Sequence, residues 1–471
     1  MLGRTRHVHF VGVGGIGMSG IAELLANLGY VVTGSDARPS TVTERLVRLG
    51  VTVWEGHRAE QVDEADVVVV SSAIRPDNPE IVEAHRRYIP VIPRAEMLAE
   101  LMRLRYGIAV AGAHGKTSTT SMIALVLEQA GLDPTAVIGG RLSAFGSNAR
   151  LGRGEYMVAE ADESDGSFLH LSPVIAVITN VDREHLDHYG TYGRLCEAFV
   201  EFANKVPFYG AVVACADDAE LVRLMPRMTR RIVSYGLDGE EADLRGVEVR
   251  LEAFGARCQV SRGGRRIDER APLGELRLRV PGRHNLLNAL AATAVGLELG
   301  LPFDTIAGAL AGFAGAERRF QRLGEAAGVM VVDDYGHHPR EIEVVLEAAR
   351  AGVGRRVLVV FQPHRYTRTA QLRDEFGAAL AKADELVLTD VYAAGEEPIP
   401  GANVEAIAQA VRARSAVPVH IVRPLEAIPG AVARLARPGD MVITLGAGSI
   451  GTVAERILGE LERRGAAAPR S

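Results

Sequence analysis

One stretch constrains this chain more than any other. The apolar run Tyr106-Gly-Ile-Ala-Val-Ala111 leads into Gly112-Ala113-His114-Gly115-Lys116-Thr117-Ser118-Thr-Thr120, and an apolar helix-length segment, Met122 to Ala130, follows. Strand, glycine turn and helix in that order read as a phosphate loop. Backbone N–H groups cradle phosphates at the helix N-terminus, Lys116 neutralises β/γ charge, and the Thr117 hydroxyl can ligate Mg2+. The spacing departs from G-x-x-x-x-G-K-[ST], because Val110 stands where the first glycine belongs. A glycine turn carrying a chance Lys-Thr pair is the competing reading, and the flanking strand and helix weigh against it.

The rest of the chain repeats that rhythm. Short β-branched runs alternate with helix-length amphipathic segments, which predicts α/β domains on mainly parallel sheets. At 471 residues there is chain enough for three domains of roughly 150 residues each. Strands are expected at His7–Val11, Val329–Asp333, Val357–Phe361 and Met441–Leu445, with domains spanning 1–107, 108–318 and 319–471. Residues 236 to 281 differ, with glycines and alternating runs such as Glu275-Leu-Arg-Leu-Arg-Val280; they predict antiparallel hairpins attached to the middle domain. The 53 basic and 59 acidic residues leave a net charge of −6 with no run of like charge, which argues against nucleic acid or a membrane surface as partner. No apolar stretch reaches the roughly 18 residues that span a bilayer, and no secretory core opens the chain. Cys196, Cys215 and Cys258 lack metal-site spacing. A soluble, cytoplasmic protein with reduced thiols is expected.

A second glycine loop comes first in the chain. Gly12-Val-Gly14-Gly15-Ile16-Gly17 fits G-x-G-x-x-G between a strand and a helix, and Asp36 closes the next strand 19 residues after Gly17. Glycines there let N–H groups approach a pyrophosphate, and Asp36 can accept from a sugar hydroxyl. Taken alone, the motif fits an NAD-dependent dehydrogenase, a tight turn without ligand, or another diphosphate-bearing molecule; it does not identify the base. Ser71-Ser72-Ala-Ile74 closes the strand Val67–Val70 and either lines the same crevice or is an ordinary polar turn.

A phosphate loop needs metal ligands nearby. Met157-Val-Ala-Glu160-Ala-Asp162-Glu163-Ser-Asp165 places acids beyond a short strand, with Glu160 at its carboxyl end, where α/β crevices open. Val177-Ile-Thr-Asn180-Val-Asp-Arg-Glu-His185-Leu-Asp187-His188 follows a second strand. Zinc would require a third ligand beside His185 and His188, and no H-E-x-x-H is present. An acid cluster is ordinarily a solvated turn; its place after strands of a phosphate-loop domain favours a ligand role.

Read in order, the motifs resemble the Mur ligases of peptidoglycan precursor synthesis, over nearly the whole chain. Beyond the two glycine loops (the first extending through Met18-Ser19-Gly20), the marks are Glu160–Asp165, Thr179–Asp187 and Pro281-Gly-Arg-His-Asn285-Leu-Leu-Asn288. Arg318-Arg319-Phe-Gln321, Asp333-Asp334-Tyr335-Gly-His337-His-Pro339, Pro363-His364-Arg365-Tyr-Thr-Arg368 and Asp390–Glu396 continue the series. The resemblance implies an α/β protein of three domains. These are a Rossmann-like UDP-binding domain, a P-loop ATPase-type central domain with added β-hairpins, and a Rossmann-like C-terminal domain. It implies ATP with Mg2+ at two sites, Mn2+ being the alternative ion. The partners implied are UDP-N-acetylmuramate and L-alanine, on a monomer or weak homodimer without membrane insertion.

The same resemblance assigns residues. Gly14, Gly15, Ile16, Gly17, Met18, Ser19, Asp36, Ser72 and His185 are implied to hold the UDP-sugar. Gly112 to Ser118, Asn285, Asn288, Arg319 and Asp334 are implied to hold ATP. Thr117, Glu160 and His185 are implied metal ligands, and Lys116, Glu160, His185 and Arg319 the catalytic set. Tyr335, His337, His364, Arg365 and Arg368 are implied to hold the amino acid; an arginine fork suits a carboxylate. Plainer readings stand beside these: Asn285, His337 and His338 as helix caps, Arg319 as a surface charge, and residues 364–368 as a solvated basic loop. Several relatives carry a carbamoylated lysine that helps bridge the metals. Phe199 stands at that position here and Lys205 lies too far along, as expected of the alanine-adding branch. The implied reaction is ATP-dependent ligation of L-alanine to the lactyl carboxylate of UDP-N-acetylmuramate through an acyl phosphate. A ligase adding a preformed tripeptide is the nearest alternative. Glycine or L-serine is expected as a weaker substrate, because a methyl-sized pocket discriminates by only about 1–3 kcal/mol.

Overall fold

The computed structural model describes residues 3–71, 73–142, 147–252, 254–263, 271–315 and 318–467. The side chains of residues 16, 139–142, 147–148, 187, 351–353 and 466–467 are outside the description. Ser72 lies outside the described residues, as does the Ile16 side chain.

Three sheets organise the chain. The first carries β1 (His7–Val11), β2 (Val31–Asp36), β3 (Thr52–Glu55), β4 (Val67–Val70) and β5 (Val91–Pro93), all parallel, in the order β3-β2-β1-β4-β5. β4 reads as a continuous apolar run, Val67–Val70, whereas β1 alternates His7 and His9 with apolar residues. In this order the crevice opens between the carboxyl ends of β1 and β4, where the chain reverses its direction across the sheet.

The second sheet has ten strands: β6 (Tyr106–Ala111), β7 (Thr135–Leu142), β8 (Ser147–Arg150), β9 (Tyr156–Glu160), β10 (Ile175–Ile178), β11 (Ala211–Cys215), β12 (Ile232–Gly236), β13 (Leu244–Glu252), β14 (Gly255–Arg262) and β15 (Ala271–Leu278). Its order is β15-β14-β13-β12-β11-β10-β6-β9-β7-β8. The strand feeding the phosphate loop, β6, is thus flanked in parallel by β9 and β10. The two neighbours are the strands that end in the acid and Asn/His motifs. Strands β13 to β15, within the stretch expected to form hairpins, make up the added edge of the sheet. β13 enters parallel to β12, through Tyr235↔Leu244 and Gly236↔Arg245.

The third sheet comprises β16 (Gln321–Ala326), β17 (Val329–Asp334), β18 (Val357–Phe361), β19 (Glu385–Leu388), β20 (Val419–Ile421) and β21 (Met441–Leu445), ordered β16-β17-β21-β18-β19-β20. Only β16 runs antiparallel to its neighbour. The fully buried runs Val357–Phe361 and Met441–Leu445 are the sheet's centre, covered by two apolar clusters, one of which includes Phe376, Leu380 and Ile407.

The chain forms two compact units. One holds 1–249, 257–277 and 285–314; the other holds 250–256, 278–284 and 315–471. Within the first unit, the helix Tyr192–Asn204 shows why residue 199 is apolar. Phe199 is 1% exposed and packs edge-on against Phe168 at 5.4 Å, while Phe202 stacks on the same ring at 5.0 Å. The Lys205 ammonium is bound to the Leu169 carbonyl and to Glu201. We predict that Phe199→Ala lowers stability by about 3–5 kcal/mol through the cavity it leaves. The quantity to measure is the shift in urea unfolding midpoint; a loss below about 1 kcal/mol would contradict this packing.

Candidate active site

The helix Lys116–Gln129 begins immediately after Gly115, which adopts a left-handed conformation at φ +82. A side chain there is excluded twice over, since a Cβ would sit 2.6 Å from Asn288 Oδ1. Gly112, at φ +133, is equally constrained because a Cβ would collide with Thr179 Oγ1. The loop therefore keeps its two glycines where the turn needs them, and Val110 stays as a core strand residue, fully buried in β6.

The loop folds around its own lysine. Lys116 Nζ donates to the Gly112 carbonyl at 2.6 Å, to the Ala113 carbonyl at 3.2 Å and to Glu163 Oε1 at 2.8 Å. Burial by itself would lower its pKa, but the charges of Glu163 and Glu160 outweigh that and hold Lys116 firmly cationic. Glu163 is 1% exposed; burial pushes its carboxyl up to about 7 against the pull of Lys116. Thr117 Oγ1 lies 3.1 Å from both oxygens of Glu160. On the other flank, Asn180 Oδ1 accepts from the His114 N–H at 2.8 Å, and Asn180 Nδ2 and Thr179 Oγ1 both donate to the His114 carbonyl. His185 caps a short helix, Leu186–Tyr189, at φ +56. Its Nε2 lies 3.7 Å from Glu163 Oε1 and 3.6 Å from Glu184 Oε2. A non-glycine residue held in that region costs about a kcal/mol or more, a cost that recurs at functional positions.

Lys116, Thr117, Glu160 and His185, singled out in the sequence, thus converge, and Glu163, Asn180 and Glu184 join them without having been singled out as site residues. A local signal for Glu163 exists. Asp162 accepts from the Ser164 N–H and Asp165 from the Ser167 N–H, each at 3.0 Å. Both aspartates hold their own turns, as Asp-x-Ser segments do. Glu163 remains to face the loop. Ser118 is buried one residue further along the helix. Asn285 and Asn288 are buried in the helix Arg283–Glu298. Asn285 is the third residue of that helix.

At the first glycine loop the Gly12 and Val13 N–H groups both donate to the Ser35 carbonyl at 2.9 Å, and the Gly14 N–H donates to Asp36 Oδ2 at 2.8 Å. Asp36 is thereby engaged with the loop itself. A Cβ on Gly17 would collide with the Arg94 guanidinium, whose other nitrogen lies 3.7 Å from Asp162. Gly15 precedes the helix Ile16–Asn27; its carbonyl accepts from Met18 and Ser19, both buried.

In the second unit, Arg318 and Arg319 have different tasks. Arg318, at φ +57, is tied to Asp333 Oδ2 and the Gly446 carbonyl, each at 2.7 Å. Arg319 faces Glu341 at 3.4 Å and lies over the Tyr335 ring at 5.6 Å. Burial pushes Asp334 up to about 6, with Arg319 and the Gly336 and Phe320 N–H groups pulling the other way. His284, part of the Pro281–Asn288 motif but given no role in the sequence, is held down near 4 by burial and by Arg319. His338 caps the helix Pro339–Val353 by accepting from the Arg340 N–H, so the capping reading holds for that residue. His337 instead meets Tyr335 and His364, with ring centroids 5.5 and 5.6 Å apart. His364 stacks on Tyr392 at 5.5 Å, a partner the sequence did not single out. Arg368 Nη1 reaches His364 Nδ1 at 3.5 Å, and Arg365 turns the chain at φ +71. Aromatic rings and guanidinium groups are gathered here over the carboxyl ends of β17, β18 and β19.

Comparison with known proteins gives a consistent result along the chain. Residues 7–106 match the "Mur ligase family, catalytic domain", 110–296 the "Mur ligase middle domain", and 318–448 the "Mur ligase, glutamate ligase domain". The UDP-N-acetylmuramate–L-alanine ligase of Geobacter sp. (strain M21) is 55% identical, covering 97% of this chain and 98% of that one. The Myxococcus xanthus protein of the same name is 55% identical over 97% of this chain and 96% of its own. Among solved structures, the UDP-N-acetylmuramate-alanine ligase MurC of Thermotoga maritima superposes with a TM-score of 0.81 at 30% identity, covering 97% and 99% of the two chains. A murein peptide ligase from Psychrobacter arcticus gives 0.71 at 26% identity, covering 97% and 98%. Among the described residues, no helix is long and apolar enough to cross a membrane.

His364 offers a direct check on the C-terminal cluster. Burial first, then the neighbouring His337, Arg368 and Arg365, hold its pKa down near 4. Between pH 6.5 and 4 the unfolded chain therefore binds a proton that the folded one refuses, and this residue's contribution to stability falls as pH falls through that window. An NMR titration is expected to place the His364 midpoint below about 5; a midpoint near 6.5 would contradict the burial described.

Proposed function

The chain belongs to the Mur ligase family, and from that membership we propose that it joins L-alanine to the lactyl carboxylate of UDP-N-acetylmuramate at the expense of ATP. The observation that carries this reading is the half-buried Lys116, held between phosphate-loop carbonyls and Glu163. Near-full-length identity of 55% to alanine-adding ligases supports the choice of substrates. Family membership weighs against the dehydrogenase reading of the first glycine loop and supports a uridine diphosphate as its ligand.

The residues fit a divalent cation. Glu163 Oε2 is buried without a hydrogen-bond partner among the described residues, and Glu163, Glu184 and His185 bring ligand atoms within 4.8 Å of one another. Carboxylates and a hydroxyl with one imidazole suit Mg2+ or Mn2+. Thr117 and Glu160 would hold one ion, His185 with Glu163 and Glu184 a second. When bound, such ions offset charge on the transferring phosphoryl group.

The chain's own groups then have defined tasks. Lys116 lies where it neutralises the β/γ-phosphates once it exchanges the loop carbonyls for them. Asn288, against Gly115, and Asn285, one turn earlier, would recognise the adenine. A lactyl carboxylate oxygen attacks the γ-phosphorus as the bond to the ADP oxygen breaks, giving an acyl phosphate. The neutral amine of alanine attacks the acyl carbon, nitrogen loses a proton, and phosphate leaves. Arg365 and Arg368 supply the cationic fork for the alanine carboxylate, with His364, His337 and Tyr335 as the wall of a small pocket. Arg319, beside Asp334, is the arginine for phosphate.

Phosphate release should be measured with UDP-N-acetylmuramate, ATP and each of the twenty amino acids, and with the tripeptide that a recycling ligase would use. L-Alanine is expected to give the highest kcat/KM, glycine and L-serine lower values. Preference for the tripeptide would overturn the assignment. Lys116→Ala is expected to abolish alanine-dependent ADP formation while UDP-sugar binding survives, and retained turnover would refute its role. Arg368→Ala is expected to raise the KM for alanine by about ten-fold or more, as loss of a charge-assisted hydrogen bond does. The KM for ATP should stay within about two-fold; equal effects on both would argue against the amino-acid site.

A further inference from the structure

Beneath the first glycine loop lies a buried polar network to which the reaction above gives no task. His9, Ser35 and Glu80 are wholly buried and Thr33 nearly so. Ser35 Oγ donates to Glu80 Oε2 at 2.8 Å and lies 3.0 Å from His57 Nδ1. His57 Nδ1 and His9 Nε2 stand 3.4 and 3.7 Å from that same carboxylate oxygen. Among the described residues no lysine or arginine pairs with Glu80. A carboxylate buried on such terms is expensive, and a hydrophobic residue of similar size would pack at least as well.

Its position suggests what the expense secures. Ser35 ends neither at its side chain nor at Glu80, because its backbone carbonyl receives the N–H groups of Gly12 and Val13, both at 2.9 Å. With Gly14 bound to Asp36, three successive N–H groups of the loop terminate on residues 35 and 36. The opposite wall of the crevice is the segment after β4. Ile74, in that segment, has its Cδ1 3.2 Å from where a Cβ on Gly12 would lie. The same segment runs into the helix Pro79–Arg86, whose second residue is Glu80 and whose cap, Asn78, accepts the Glu80 N–H at 2.9 Å. The Ser35–Glu80 hydrogen bond thus links the two loops that bound the crevice between β1 and β4.

We propose that Glu80, acting through Ser35, is a positioning residue that sets the spacing of the two walls of the UDP-sugar crevice. The proposal rests on reading that crevice as the UDP-sugar site. Glu80 touches no substrate; it fixes the carbonyl on which the glycine loop hangs. Loss of the link therefore weakens UDP-sugar binding and leaves the ATP and alanine sites, built on other sheets, as they were.

Steady-state kinetics for all three substrates, with calorimetric binding of UDP alone, tests this on Glu80→Ala, Ser35→Ala and Glu80→Gln. Glu80→Ala and Ser35→Ala are expected to raise the KM for UDP-N-acetylmuramate and the Kd for UDP by about ten-fold. The KM values for ATP and alanine should stay within about two-fold, and kcat should change little. Glu80→Gln keeps an oxygen for Ser35 and is expected to stay within about three-fold of the parent protein throughout. A parallel rise in all three KM values, an unchanged UDP-sugar KM in Ser35→Ala, or a Glu80→Gln variant as impaired as Glu80→Ala would overturn the proposal. If Glu80→Ala fails to fold, Ser35→Ala and Glu80→Gln decide the question. A parent protein that turns over alanine and ATP without binding UDP-N-acetylmuramate would overturn the functional reading itself, and the proposal with it.

Discussion

The central domain is organised by one half-buried charge. Lys116 lies inside its own phosphate loop, satisfied by two backbone carbonyls and by Glu163, a carboxylate from the neighbouring strand's end. An ammonium group can occupy such a place only if every donor finds a partner. That requirement fixes much around it. It needs a glycine turn tight enough to bring the Gly112 carbonyl back onto residue 116, and it needs β9 beside β6 so that Glu163 arrives from that side. The strand on the other side, β10, leads into Thr179 and Asn180, whose side chains take up both peptide groups of His114. Were phosphates to replace the carbonyls, as proposed above, the lysine would exchange weaker partners for stronger ones.

Much of this was legible in the residues. Strand, glycine turn and Gly-Lys-Thr specify a phosphate loop from local geometry alone, because few backbones other than a helix entered through positive-φ glycines present consecutive N–H groups to an anion. The recurring strand–helix rhythm likewise fixes parallel sheets, since parallel strands need crossovers of helix length. Long-range pairing is less legible. That β13 joins parallel to β12 follows from which edge is open, and no local pattern states that.

The candidate site shows the same division. Lys116, Thr117 and Glu160 announce themselves by motif, whereas Glu163 is visible only once Asp162 and Asp165 are recognised as occupied by their own turns. Arg318 and Arg319 are indistinguishable as letters. Positive φ at Arg318 and Phe320 turns the first guanidinium onto Asp333 and Gly446 and the second toward Asp334 and Glu341. Tyr392 and His284 lie inside recognised motifs but were given no task, because a stacked ring and a desolvated imidazole are properties of the packed state. Phe199 marks the limit from the other side. Its apolar character was plain, but only the packing against Phe168 shows that a lysine there would have to be buried among aromatic rings.

Transfer of ATP's γ-phosphoryl group to the sugar-borne carboxylate before the amide forms, as proposed above, can be followed by isotope transfer. UDP-N-acetylmuramate labelled with 18O in both lactyl carboxylate oxygens should deliver one 18O to each inorganic phosphate released during alanine addition. Phosphate carrying no label, with all of the 18O retained in the organic product, would contradict it.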